Sequence, residues 1–161
     1  MKSFGVLVVF FLGFQQNIDI DKIDAQLFDK INGVRVENKC SILTRDENLD
    51  KAAANQAIYI ANKDVLEHVQ SGNSKTKGLL DRVKLFSKKE YSKVGENLLF
   101  TSIPKEAIDS EVIAEKMKSL WVKSPSHFKN IKYGEFNYTG FGFALNKSKT
   151  KIYVVQVFGK K

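Results

Sequence analysis

Apolar residues recur at helical spacing in the first three quarters of the chain and at alternating spacing near its end. Ile23, Leu27, Ile31 and Val34 mark one face of a first helix, with Asp21 or Asp24 available near its start. A second helix is predicted over residues 46–64, where Leu49, Ala53, Ala57, Ile60 and Ala61 form a stripe of mostly small residues that lets another element pack closely. A third is predicted over residues 105–122, with Pro104 at its mouth and Ile108, Val112, Ile113, Met117, Leu120 and Trp121 on one face. The period then changes. Phe141, Phe143 and Leu145 alternate with Gly140, Gly142 and Ala144, and a second alternating run over residues 151–158 follows the polar turn at 146–150, which together read as a hairpin. Glycines on one face of the first of these strands predict the close approach of another backbone or a helix. The lysine- and serine-rich stretch 69–92 contains a short helix at about 78–83. Helices first and an antiparallel hairpin last argue for an α+β layered fold rather than alternating parallel units.

The beginning of the chain is different in kind. Met1-Lys2 is followed by an apolar run, residues 4–14, broken only by glycines. The run is much shorter than the ~20 residues a membrane-crossing helix needs, so it reads as a secretory signal. Residues 1–20 are assigned to that signal and 21–161 to one domain, secreted or held in the cell envelope, with no transmembrane segment in the mature chain. The alternative is a buried N-terminal strand or helix, because no clear small-residue cleavage site follows the run.

With 161 residues, 43% of them hydrophobic, the chain is long enough for one domain with its own core. Cys40 is its only cysteine, which excludes an intramolecular disulfide and fits an exported bacterial protein held by its core alone. Nothing marks that thiol as activated, and a partly buried small side chain is the expected role. The formal charge is +8, from 26 basic and 18 acidic side chains, with clusters such as Lys75/Lys77, Lys88-Lys89, Lys147/Lys149/Lys151 and Lys160-Lys161. A solvated surface accounts for them; attraction to anionic headgroups or acidic glycans is the functional alternative. No nucleic-acid motif is present, and nucleic acid is not an expected partner.

Candidate chemistry is confined to few residues. His68 and His127 are the only histidines, and Glu96 lies between them in sequence at the start of an ordered element. Neutral imidazoles suit zinc, while a carboxylate either completes a metal's ligand set or orients a histidine from behind by accepting its other ring proton. The same residues are equally compatible with a purely structural role, two half-buried histidines hydrogen-bonded to Glu96 and backbone. If Ser124 caps a short helix and Pro125 takes its first position, His127 falls in the first turn, where the helix dipole favours the neutral ring.

Several fragments then occur in a telling order. They are Asp46-Glu47-Asn48-Leu49 with the alanine-rich helix, His68, residues 78–83, Tyr91 with Val94-Gly95-Glu96-Asn97-Leu98, Trp121-Val122-Lys123-Ser124-Pro125-Ser126-His127, Tyr138-Thr139-Gly140-Phe141-Gly142, and the run from Tyr153 to Gly159. In that order and spacing the chain resembles the CAP superfamily, also called the SCP or pathogenesis-related-1-like domain. The resemblance implies a three-layer α-β-α sandwich with a small antiparallel sheet. It also implies a central cleft in which His68, His127 and Glu96 take a divalent cation, supported by Asn97, Ser124 and Ser126. Many eukaryotic members carry a second glutamate shortly after the helix tryptophan; here the position three past Trp121 is Ser124, as in the bacterial type. Two imidazoles without that glutamate predict weak, exchangeable binding, with zinc the best-suited ion.

Two functional classes follow. The favoured one is a non-catalytic binding module whose cleft holds a lipid, sterol, peptide or glycan. The other is a metal-dependent hydrolase or peptidase, with the cation polarising a carbonyl and Glu96 as general base. The chain offers few ligands and no serine or cysteine with an evident activating partner, which favours the first class.

Overall fold

A computed structural model describes residues 18–87, 91–104 and 109–161. The apolar run 4–14, Lys88-Lys89 and the predicted helical residues 105–108 lie outside the described residues. Helix α1 (Ile20–Glu37) is capped by Asp19, whose side chain accepts from the Lys22 amide at 3.0 Å; Asp21 sits in the first turn and Asp24 faces Arg45. Helix α2 (Glu47–Lys63) keeps the predicted limits. Asp46 Oδ1 accepts from the Asn48 and Leu49 amides, and Asp64 ends the helix in the left-handed conformation at φ 56°. Helix α3 (Leu79–Phe86) follows Gly78, whose amide donates to Asp81.

Helix α4 (Ser110–Lys123) differs from expectation. Asp109, not Pro104, stands at its mouth and accepts from the Glu111 amide. Its buried face is Ile113, Ala114, Met117 and Trp121, whereas Val112 and Leu120 are exposed. Each of those two lies one residue, about 100° of helical rotation, from a buried neighbour and so turns away from the core. Helix α5 (Pro125–Ile131) has Ser124 at its cap position and Pro125 first, but the Ser124 hydroxyl accepts no hydrogen bond from the helix amides.

The strands are β1 (Thr44–Arg45), β2 (Lys93–Ser102), β3 (Tyr138–Leu145) and β4 (Lys151–Lys160), in the order β1-β3-β4-β2. The hairpin β3–β4 and the pair β2–β4 are antiparallel, but the two-residue β1 runs parallel to β3. The sheet is therefore mixed rather than antiparallel throughout, and the parallel rung follows from the long connection through α2, α3 and α4 that separates β1 from β3.

Alternation along β4 assigns the layers. Ile152, Val154 and Phe158 pack with α1, α4 and α5, while Tyr153, Val155 and Val157 pack with α2 and α3. The result is the three-layer α-β-α sandwich, with one core on each side of the sheet. Two arginines, Arg35 buried and Arg45 half-buried, tie the elements together. Arg35 donates to the carbonyls of Ser41, Ile131, Tyr133 and Phe136 at 2.6–3.1 Å, fixing the end of α5 to α1. Arg45 forks onto Asp24 at 2.7 and 2.8 Å and reaches Asp50 at 2.6 Å, joining α1, β1 and α2.

The glycines of β3 do what their pattern predicts. A Cβ on Gly140 would stand 2.2 Å from the Asp50 nitrogen, and one on Gly142 2.2 Å from the Ala54 nitrogen, because the α2 backbone lies directly on the strand. Backbone cannot step aside as a side chain can. Gly142→Ala is expected to cost about 3 kcal/mol or more in urea unfolding, at the upper end of ordinary overpacking; Gly33→Ala, where a Cβ meets nothing within 4 Å, is the control.

Candidate functional site

The outer edge of the sheet is β2, and successive side chains of that strand point into different layers. Glu96 shares a face with Leu98 and turns toward α2 and α3; Asn97 shares a face with Leu99 and turns toward α4 and α5. Both are buried. The two halves of the site are thus built on opposite faces of one strand.

On the α3 side, Arg82 is fully buried and its Nη2 donates to Glu96 Oε2 at 2.7 Å. The other carboxylate oxygen, Oε1, is 2.8 Å from His68 Nδ1, and a carboxylate facing an imidazole nitrogen at that distance accepts its proton. Among the described residues His68 Nε2 has no hydrogen-bond partner, on a side chain 59% exposed. Arg82 also donates to the His68 carbonyl at 3.3 Å and to the Thr76 carbonyl at 3.1 Å, so one guanidinium holds the glutamate and the histidine's backbone.

The loop carrying His68 is pinned from α2 as well. Gln56 donates to the Glu67 carbonyl at 2.5 Å, the Ser71 amide donates to Tyr59 Oη at 2.8 Å, and Gln70 donates to Asn55 and Gln56 at 2.9 Å each. His68 is exposed but not loosely held. Val65, Leu66 and Val69, on either side of it, are 41–51% exposed, and a shallow hollow of about 460 Å³ opens beside Val69, Gln70 and Lys77.

On the α5 side, Asn97 Nδ2 donates to the His127 carbonyl at 3.1 Å, and Asn130 Nδ2 donates to Asn97 Oδ1 at 2.9 Å and the Glu96 carbonyl at 3.3 Å. Asn97 therefore fixes the first turn of α5 to β2. His127 is half-buried. Burial pushes its pKa below the ordinary histidine value, and the positive charge His68 would carry pushes it in the same direction. The neutral ring is favoured, as expected, but with burial as the main cause. Ser124 and Ser126 share a hydrogen bond at 3.2 Å between their hydroxyls and have none to His127 among the described residues, so no serine–imidazole pair is formed there.

The structure thus joins Glu96 to His68 directly, and ties the His127 backbone to the neighbouring residue of the same strand, Asn97. Among the described residues no group of three or more His, Cys, Asp or Glu side chains is placed to hold one metal ion together. Each oxygen of Glu96 accepts one hydrogen bond, from Arg82 and from His68.

The sequence profile of the CAP family, the cysteine-rich secretory protein family, matches residues 28–158. The chain belongs to the CAP family. Among solved structures it is similar to an outer surface protein from Borrelia burgdorferi, with a TM-score of 0.71 and 21% identity over 89% of this chain and 96% of that one. It is also similar to an extracellular SCP-domain protein from Bacillus anthracis, with a TM-score of 0.65 and 22% identity over 88% of this chain but 41% of that one. A third similar structure is NaASP2 with Zn2+, with a TM-score of 0.53 and 15% identity over 88% of this chain and 82% of that one. At these identities the likeness is one of fold. No curated protein matches the sequence. Among the described residues no helix is long and apolar enough to cross a membrane.

Arg82, Gln56, Gln70 and Asn130 are the site residues of this CAP domain that sequence reasoning missed. Arg82 lay within the short 78–83 helix, but nothing local pairs an arginine with a glutamate fourteen residues away. Its loss leaves a buried carboxylate without a counter-charge. Arg82→Met is expected to cost about 3–5 kcal/mol in urea unfolding, and Arg82→Met combined with Glu96→Leu to cost less than Arg82→Met alone. His127 is expected to titrate below ~6.5 by NMR. Its unfolded form then binds more protons than its folded form in that range, so stability falls as pH drops from ~6.5 toward the folded value, and His127→Gln lessens the loss.

Proposed function

We propose that this CAP domain works outside the cytoplasm as a non-catalytic binding module, with a cleft at the outer edge of β2 that takes an amphipathic ligand. In this reading a divalent cation, zinc by the chemistry of the donors, is held loosely between His68 and His127, with water in the remaining positions. In this reading Glu96 acts from behind His68, fixing its tautomer and pointing Nε2 outward. A bound cation would supply a Lewis-acidic contact for a polar headgroup or carbonyl.

The observation that carries the reading is the engagement of Glu96 on both oxygens, by a fully buried arginine and by His68. A general base has to present its carboxylate to water or substrate, and this one faces Arg82 and the back of an imidazole. The apolar side chains bracketing His68 favour a ligand with a hydrocarbon part, lipid or sterol, over a glycan. Export is supported by the outer-surface and extracellular relatives and by the apolar run 4–14.

Zinc titration by calorimetry tests the cation site. Wild type is expected to bind one zinc weakly, with a Kd of about 10 µM or higher for so few protein ligands. The double variant His68→Ala, His127→Ala is expected to lose that heat; unchanged binding in it contradicts the site. Chelator-sensitive cleavage of a peptide library that Glu96→Gln abolishes would contradict the non-catalytic reading.

A further inference from the structure

Away from the histidine cleft, the end of β4 and the start of α2 enclose a cation. Lys161 Nζ lies 2.6 Å from Asp46 Oδ2, 4.2 Å from the ring centroid of Tyr138 and 5.1 Å from that of Tyr91. Two aromatic faces and a carboxylate around one positive charge form the arrangement that recognises organic ammonium groups. We propose that Tyr91, Tyr138 and Asp46 form a binding site for a quaternary ammonium group, which the Lys161 side chain fills in this structure. The inference is independent of the proposed cation cleft and shares no residue with it.

Each wall is set by contacts that do not involve Lys161. Asp46 is fixed as the cap of α2, its Oδ1 accepting from the Asn48 and Leu49 amides while Oδ2 points to the cage. Tyr138 is held in β3, opposite Gly159 of β4. The Tyr91 ring lies on that same glycine so closely that a Cβ there would be 2.4 Å from its Cδ1. Gly159 is thus what lets the two rings flank one space, and the space persists if the lysine side chain is removed. It also opens to solvent, since Lys161 is 37% exposed and both tyrosines are partly exposed.

A primary ammonium is a poor match for aromatic walls because it is strongly hydrated and has three protons to satisfy. Among the described residues, Asp46 is the one carboxylate that accepts a hydrogen bond from Lys161 Nζ. A quaternary ammonium needs no hydrogen bonds and presents methyl groups to the rings. Lys161 has the advantage of tethering: its amide donates to Asn137 Oδ1 at 3.2 Å, which keeps its side chain at high local concentration. The lysine is therefore a built-in competitor.

The test uses the full domain, with tetramethylammonium chloride as probe and sodium chloride at equal ionic strength as control, followed through the NMR ring signals of Tyr91 and Tyr138. Lys161→Ala is expected to bind tetramethylammonium saturably and at least about tenfold more tightly than wild type. Adding Asp46→Asn to that variant, which preserves the helix cap, is expected to weaken binding by about tenfold. Choline and phosphatidylcholine vesicles then distinguish a free solute from a headgroup; binding of either supports the site. No saturable shift in Lys161→Ala, or equal affinity with and without Asp46→Asn, overturns it.

Discussion

A carboxylate buried at the edge of a sheet has to be neutralised from within the protein, and in this chain Arg82 is the cation that does so. The pair is costly to desolvate, and its value lies in what it organises rather than in net stability. Arg82 also donates to the carbonyls of Thr76, Lys77 and His68, and Glu96 turns its second oxygen to the His68 ring. One ion pair therefore sets a loop, a strand and an imidazole in fixed relation. His68 keeps its orientation in solvent because the groups behind it are not in solvent.

The other face of β2 is fixed by a different device. Asn97 and Asn130 bind α5 to β2 by donating to the His127 and Glu96 carbonyls and through a bond between their own side chains, and Arg35 fastens the far end of α5 to α1 with neutral carbonyls alone. Both sets of contacts depend on where β2 lies in the sheet. The position of the sheet depends in turn on α2 lying backbone-to-backbone on β3, a contact that exists because Gly140 and Gly142 have no side chains. Small residues in one layer thereby determine where polar residues meet at the edge of another.

Much of this was legible in the chain, and the parts that were not have physical reasons. Local signals carried α2, whose alanine stripe and flanking aspartates give both its face and its ends, and the hairpin, whose alternation and glycines give strand, turn and packing partner. The family resemblance ordered the fragments and supplied the layer arrangement. Strand β2 was recognised only as an ordered element, because residues 96–99 are buried on both faces and show no alternation. The two-residue β1 is too short to leave a period. In α4, Val112 and Leu120 are apolar yet exposed, so their presence widened the apparent apolar face beyond the buried one. The candidate residues His68, Glu96 and His127 could be named, but their connection depends on Arg82 and Asn97, and pairings between distant polar residues have no sequence period.

The geometry gives the two histidines unequal roles. His127 is kept neutral mainly by burial, whereas His68 is exposed and held by its partners. An exposed imidazole with a carboxylate at Nδ1 presents Nε2, the nitrogen through which it can meet a cation or a ligand. The most direct measurement is the tautomer of His68, read from long-range proton–nitrogen correlation spectra of the neutral ring in alkaline buffer. The account predicts the proton on Nδ1 and a bare Nε2, with Glu96→Leu shifting the ring toward the opposite form; a proton on Nε2 in the wild-type protein would contradict it.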